Sequence, residues 1–261
     1  MKVLIKLGGT LLDDPAKRSS MAAELAALAG SYELVVVHGG GKQVTRFLEE
    51  RGVRSRFIGG LRVSDETAID AVTKIIAGSL NKQLVAAILA AGQPAVGLSG
   101  VDGALTMAAP LSPELQFAGK PERTDGKLLR LLGEAGYLPV IACIAGDRQG
   151  NIYNVNADQM AVSCALGWRA DKLLFLTDVP GVKNGDGELI PELTVSGIRE
   201  LVASGVAHGG MQAKLEAAAW SLEGGLSEVL IAAGQERGVC QRLLAGERLG
   251  TRLTHANQEV A

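Results

Sequence analysis

Six short aliphatic runs punctuate the chain, at residues 3–7, 34–37, 95–98, 138–144, 173–177 and 229–232, and each gives way to glycine or aspartate. Unbroken apolar runs of this length suit strands buried on both faces of a parallel sheet, because a strand with one wet face would alternate polar and apolar positions. Between them, at 22–28, 44–50, 68–89, 128–133, 157–166 and 211–222, apolar residues return every three or four positions, the period of a helix with one buried stripe. The pattern predicts an α/β protein whose mainly parallel sheet carries helices on both faces.

The longest predicted helix, 68–89, aligns Ile69, Val72, Ile76 and Leu80, and Ser64-Asp65-Glu66 supplies a cap and an acidic first turn. At about 20 residues it would span about 30 Å, enough to carry a subunit contact. Residues 57–63 enclose Gly59-Gly60, which can take both positive φ values of a type I′ turn, so a hairpin is expected there. A second hairpin or pair of short strands is expected between 105 and 123. After Trp168 the pattern is plain α/β, and this sets an expected domain boundary, with one part at 1–168 and the other at 169–261.

Composition narrows the class. A chain of 261 residues with 47% apolar and 21% charged residues suits a folded globular enzyme. A net charge of −2 and 3% aromatics provide neither a basic footprint nor stacking rings, so nucleic acid is not an expected partner. The opening apolar run breaks at Gly8-Gly9, too short for a signal core or a membrane span; a cytoplasmic protein without a membrane partner is expected. Cys143, Cys164 and Cys240 are odd in number and far apart, which fits buried apolar fillers rather than disulfides. His38, His208 and His255 are equally scattered, so no protein-built metal site is expected.

Several polar motifs interrupt the apolar pattern where strands end. Gly39-Gly40-Gly41 follows the strand at 34–37 and opens a helix, where glycine lets backbone N–H groups approach an anion. It is neither a Walker A loop nor G-x-G-x-x-G. Lys6 sits at the end of the first strand before Gly8-Gly9, and Lys214 lies about one turn inside a helix opened by Gly209-Gly210-Met211. Asn154-Val155-Asn156-Ala157-Asp158 packs two amides and one carboxylate into a strand-to-helix junction. Asp178-Val179-Pro180-Gly181-Val182-Lys183 is a polar loop at a strand end, where α/β sheets bind nucleotides, and Arg62 offers a planar fork for a carboxylate. Each has a plainer reading alone: a tight turn, a snorkelling lysine, an aspartate complementing its helix dipole, a surface loop, a surface ion pair. Together they suggest a site that moves a phosphoryl group between two anionic molecules, two lysines offsetting its charge and Asp158 holding both ammonium groups.

In order and spacing these motifs resemble the amino acid kinase family, and within it the branch acting on N-acetyl-L-glutamate. The likeness runs nearly end to end and includes Ala77-Gly78-Ser79-Leu80-Asn81-Lys82 and Gly250-Thr251-Arg252. It implies an open three-layer αβα sandwich whose 1–168 part binds N-acetyl-L-glutamate and mediates dimerisation, and whose 169–261 part binds ATP with Mg²⁺. Lys6, Lys214 and Asp158 would be catalytic. Gly39, Gly40, Gly41, Arg62, Asn154 and Asn156 would hold the acceptor, with Arg62 on its α-carboxylate. Gly8, Gly9, Asp178, Val179, Gly181, Val182, Lys183, Gly209, Gly210 and Met211 would border the nucleotide. Kinases acting on carrier-bound aminoadipate or glutamate are the nearest alternative, although they tend to differ at Gly41 and across 154–158. Arginine-inhibited members resemble this chain after an added N-terminal helix, so an arginine-insensitive homodimer joined through the 68–89 helix is expected.

Overall fold

Strand burial decides the architecture. In the computed structural model, which describes residues 1–255, the aliphatic runs become β1 (Lys2–Leu7), β2 (Glu33–His38), β5 (Ala95–Ser99), β8 (Leu138–Ala142), β11 (Lys172–Thr177) and β13 (Glu228–Ala233). The shorter strands are β3 (Phe57–Ile58), β4 (Leu61–Arg62), β6 (Thr106–Pro110), β7 (Ala118–Thr124), β9 (Ile144–Gly146), β10 (Ile152–Val155), β12 (Glu192–Thr194) and β14 (Thr251–Thr254). The helices are α1 (Thr10–Asp13), α2 (Pro15–Ala29), α3 (Gly41–Glu49), α4 (Glu66–Val72), α5 (Asn81–Ala90), α6 (Lys127–Glu134), α7 (Ala157–Trp168), α8 (Val195–Ala203), α9 (Gly209–Glu223) and α10 (Val239–Leu244).

Eight strands form one sheet in the order β12-β14-β13-β11-β1-β2-β8-β5. The run from β13 to β5 is parallel, while β14 lies antiparallel to β13 and parallel to β12. Alternation along β1 sorts its side chains into two cores. Val3, Ile5 and Leu7 pack with Leu25 of α2 and Leu243 of α10, and Leu4 packs with Met160 of α7 and Leu215 of α9. These layers make the expected αβα sandwich. Lys6 shares the parity of Leu4, so β1 points it toward α7 and α9.

Between α4 and α5 the residues Thr73–Leu80 form a π-helical segment, so the predicted 68–89 helix is one rod, Glu66–Ala90, with a wider middle. Val72 and Ile76 join the core under α7, whereas Leu84 and Ile88 join the core under α2. The rod therefore passes the edge strand β5 from one layer to the other, and the wider turns shift its apolar stripe accordingly. Its most apolar 18-residue stretch has a mean hydropathy of 1.2, enough with its length to cross a membrane, and 33% of that stretch is buried. Within the capping triplet it is Asp65 that caps the rod, accepting from the Ala68 N–H at 2.8 Å.

Several boundaries differ from the sequence expectation for identifiable reasons. The run 138–144 is two strands, because β8 stays in the sheet beside β2 while β9 turns out to pair with β10. The expected second hairpin exists as β6 and β7, and with β9 and β10 it closes a four-stranded barrel. Helix α2 starts at Pro15 rather than near 22, since the Asp14 side chain caps the Ala16 and Lys17 N–H groups ahead of a polar first turn. After Trp168 the pattern is not plain α/β: β12, α8, α10 and the antiparallel β14 add to it. The β3–β4 hairpin forms with Gly59 at φ 56° and Gly60 at φ 80°. All three cysteines are free and buried. Residues 1–168 and 169–255 share the sheet through the β1–β11 pairing, and residues 256–261 of the second expected part lie outside the described residues.

Candidate active site

Asn156 fixes the start of α7, its Oδ1 accepting from the Asp158 N–H at 2.8 Å and the Gln159 N–H at 3.3 Å. The cap presents Asp158 in the first helical turn, beneath the end of β1. There the Lys6 ammonium lies 2.7 Å from Asp158 Oδ1, and Lys214, reaching in from α9, donates to Oδ2 at 2.8 Å. Lys6, Asp158 and Lys214 are 9%, 8% and 7% exposed. Lys214 also stands over the Phe175 ring, 5.0 Å from its centroid.

Burial works against a charged Asp158, but the Lys6 and Lys214 charges and their hydrogen bonds overcome it and hold the carboxyl at about 2. Lys214 is lowered from its ordinary range, chiefly by burial and then by the neighbouring Lys6, with Asp158 opposing. The group is therefore two ammonium ions around one carboxylate, a buried net charge of +1. A surplus cation in a low-dielectric setting is costly unless an anion completes it, and both Asp158 oxygens are already engaged.

Gly39, Gly40, Gly41, Arg62, Asn154 and Asn156 line a single cavity of about 170 Å³, walled by Val44, Val72, Ile76 and Leu111. Cys143 and Ala157 also line it, so it opens beside the Lys–Asp–Lys group. Burial pushes the Cys143 thiol up to about 12, with Lys6 pulling it back and Asp158 adding to the rise. Arg62 is 8% exposed. Its Nη2 donates to the Gly41 carbonyl at 2.9 Å and to Thr45 Oγ1 at 2.7 Å, its Nη1 donates to Ser55 Oγ, and Phe57 covers its face at 4.9 Å. Among the described residues no carboxylate pairs with it, and burial lowers its pKa. A cavity with a held guanidinium and a glycine-lined helix start suits a small carboxylate.

The glycine loops touch. A Cβ on Gly9 would come 3.5 Å from Gly40 Cα, and Gln43 Nε2 bridges the loops by donating to the Gly9 carbonyl at 2.9 Å. Gly8 donates to the Leu176 carbonyl at 3.0 Å, which ties the end of β1 to that of β11. Asp178 and Val179 are exposed beyond β11, and Gly209, with φ 56°, opens α9 ahead of exposed Gly210 and half-buried Met211. Gly181 and Val182 are buried: the Val182 N–H donates to Thr251 Oγ1 at 2.8 Å, and a Cβ on Gly181 would meet that same oxygen at 2.7 Å. They form the base of the loop, while Lys183 is exposed and bridges to Leu189.

Four supporting residues escaped the sequence reading. Thr45, Ser55 and Gln43 carry no local signal; Ser64, inside the capping triplet, is buried, donating to the Arg62 carbonyl and accepting from Asn154 Nδ2 at 3.0 Å.

The model of the amino acid kinase family matches residues 1–233. The chain belongs to the amino acid kinase family. Within it, the chain is 52% identical over 257 residues to the acetylglutamate kinase of Solibacter usitatus (strain Ellin6076), covering 98% of this chain and all of that one. It is 37% identical over 259 residues to the chloroplastic acetylglutamate kinase of Arabidopsis thaliana, covering 97% of this chain and 75% of the relative. Among solved structures, the N-acetylglutamate synthase of Neisseria gonorrhoeae, complexed with coenzyme A and N-acetyl-glutamate, superposes with a TM-score of 0.88 at 26% identity. The match spans 98% of this chain and 59% of the synthase. An isopentenyl phosphate kinase, with a TM-score of 0.66 at 23% identity, shares the amino acid kinase fold.

Proposed function

We propose that this amino acid kinase transfers the γ-phosphoryl group of ATP to the side-chain carboxylate of N-acetyl-L-glutamate, giving N-acetyl-L-glutamyl 5-phosphate and ADP, a step of arginine biosynthesis. The observation that carries this reading is the buried Lys6–Asp158–Lys214 group beside a cavity lined by Arg62, which pairs with no carboxylate among the described residues. The names of the most similar relatives support the acceptor.

The chemistry needs little from the protein beyond position and charge. A side-chain carboxylate with a pKa near 4.3 is ionised at neutral pH and attacks without a general base. Charge spreads over the equatorial oxygens of the phosphoryl group as it moves, and the two ammonium groups offset it from either side. Asp158 keeps them apart and aimed. Arg62 takes the α-carboxylate, Asn154, Asn156 and Gly39 to Gly41 complete the acceptor site, and the glycine loops bring acceptor and donor into line. The nucleotide lies along Gly8, Gly9, Asp178 to Lys183 and Gly209 to Met211, with Gly181 and Val182 shaping the loop beneath it. When bound with the nucleotide, Mg²⁺ would be held chiefly by the phosphates and would supply charge shielding there, because Asp158 has both oxygens committed to lysines.

In this reading residues 1–168 serve the acceptor and 169–261 the nucleotide, and the enzyme is a cytoplasmic homodimer. Only 33% of the most apolar stretch of the Glu66–Ala90 rod is buried within the chain, which supports a subunit contact there. A coupled assay of ADP release with acetylglutamate, with a carrier-linked aminoadipate, and with no acceptor tests the assignment. Turnover specific to acetylglutamate is expected; equal ADP release in all three arms, or turnover only with the carrier-linked substrate, would refute it.

A further inference from the structure

His38 is the last residue of β2, and it is fully buried under the Gly39 to Gly41 loop, outside every role given above. Its Nδ1 is 3.0 Å from the Gly39 carbonyl oxygen and its Nε2 is 3.1 Å from Asn81 Nδ2. Which nitrogen carries the proton follows from the neighbours. Lys82 Nζ donates to Asn81 Oδ1 at 3.1 Å, and Asn81 Nδ2 donates to the Val140 carbonyl at 2.9 Å, so the amide presents a donor to the ring. Nε2 must then accept, and the single ring proton sits on Nδ1, donated to Gly39. An imidazolium would set an N–H against the Asn81 amide N–H; burial, with Lys82 adding to it, holds the ring neutral, its pKa at about 4.

The bond to Gly39 has a geometric consequence. In a planar trans peptide the carbonyl and the following N–H point in opposite directions. Holding the Gly39 oxygen toward His38 therefore turns the Gly40 N–H the other way, and that N–H has no acceptor among the described residues. Gly40 lines the cavity, and Leu80 and Ile76 of the π-helical segment stand where its Cβ would be. The loop is thus clamped between a hydrogen bond and an apolar wall.

We propose that His38 is a positioning residue for the acceptor: as the neutral Nδ1–H tautomer, locked by Asn81, it orients the Gly39–Gly40 peptide so that the Gly40 N–H is presented to the acceptor carboxylate. The proposal rests on the acetylglutamate reading of the same cavity. An Asn side chain puts an amide N–H where Nδ1 stands, whereas Gln reaches the Nε2 position and leaves Gly39 unheld.

His38→Gln is expected to raise KM for acetylglutamate about tenfold, the loss of roughly one hydrogen bond, with KM for ATP within about twofold of wild type. His38→Asn is expected to stay within about threefold for both. Imidazole ¹⁵N NMR of the wild-type protein should show Nδ1 protonated and Nε2 bare at neutral pH. An Nε2–H tautomer, an unchanged acceptor KM in His38→Gln, or equal impairment of the two variants would overturn the proposal. The NMR measurement uses no substrate, so a wild-type enzyme inactive on acetylglutamate but carrying the Nδ1–H tautomer would overturn the acceptor assignment and leave the hydrogen-bond arrangement standing.

Discussion

Lys6 and Lys214 hold the same carboxylate from different elements, and their roles separate from their structural value by conservative removal. Lys214→Met keeps the stem over Phe175 while deleting the charge, and should lower kcat by about 10²- to 10³-fold, the usual cost of losing one preorganised charge donor, with acetylglutamate KM nearly unchanged. Steady-state kinetics in both substrates check this. Asp158→Asn differs in kind, because it strands two buried ammonium groups and should cost about 3–5 kcal/mol of stability as well as activity. Acid titration reads the same carboxylate. Its folded pKa of about 2 lies below the ordinary 3.8, so the unfolded chain binds more protons between those values. The stabilisation is full above about pH 4 and fades as pH falls toward 2, amounting to about 2 kcal/mol at 1.36 kcal/mol per pH unit. The gap between the unfolding midpoints of wild type and Asp158→Asn should narrow as pH falls through that window. At this scale the sequence announced much: lysines beside glycines and an Asn-x-Asn-x-Asp turn are unusual choices at strand ends. What it hid were Thr45, Ser55 and Ser64, common residues whose meaning comes only from what folds against them.

Single elements were readable in proportion to their periodicity. The fully buried strands and helices such as α7 emerge within a residue or two, since their burial imposes one pattern over the whole length. The π-helical turn in the long rod left no trace, because Thr73 to Leu80 keep apolar spacings compatible with an ordinary helix and only the crossing past β5 forces the wider turn. Cys143 likewise conceals the passage from β8 to β9, being as apolar as its neighbours. Glycines offer an element-scale test. Gly250 precedes β14 at φ 68°, and a Cβ there would stand 2.1 Å from the Ile231 carbonyl oxygen, a backbone atom that cannot swing aside. Gly133, within α6, has open space around it and no positive φ. Calorimetry should find Gly250→Ala destabilised by more than about 1–3 kcal/mol, and Gly133→Ala stabilised by about 0.5–1 kcal/mol through helix propensity and a less flexible unfolded chain.

For the whole molecule, alternating strands and helices sufficed for the sandwich, because a parallel sheet needs helices on both faces. The small barrel was beyond reach: β9 has three residues and β10 four, and their closure with β6 and β7 depends on pairings far apart in sequence. The order of the last three strands was equally hidden. β14 slips between β13 and β12, which lie earlier in the chain, and Thr251 at its start both accepts from the Val182 N–H and donates to the Ile190 carbonyl. During synthesis the loop that starts after β11 must wait, because the Thr251 hydroxyl that anchors it at Val182 lies 69 residues further along the chain. A nascent polypeptide halted before Thr251 should already bury β1 against β2, yet be nicked by protease between Lys183 and Leu189 far faster than one extended through β14, so this loop takes its fixed shape only when that strand has paired.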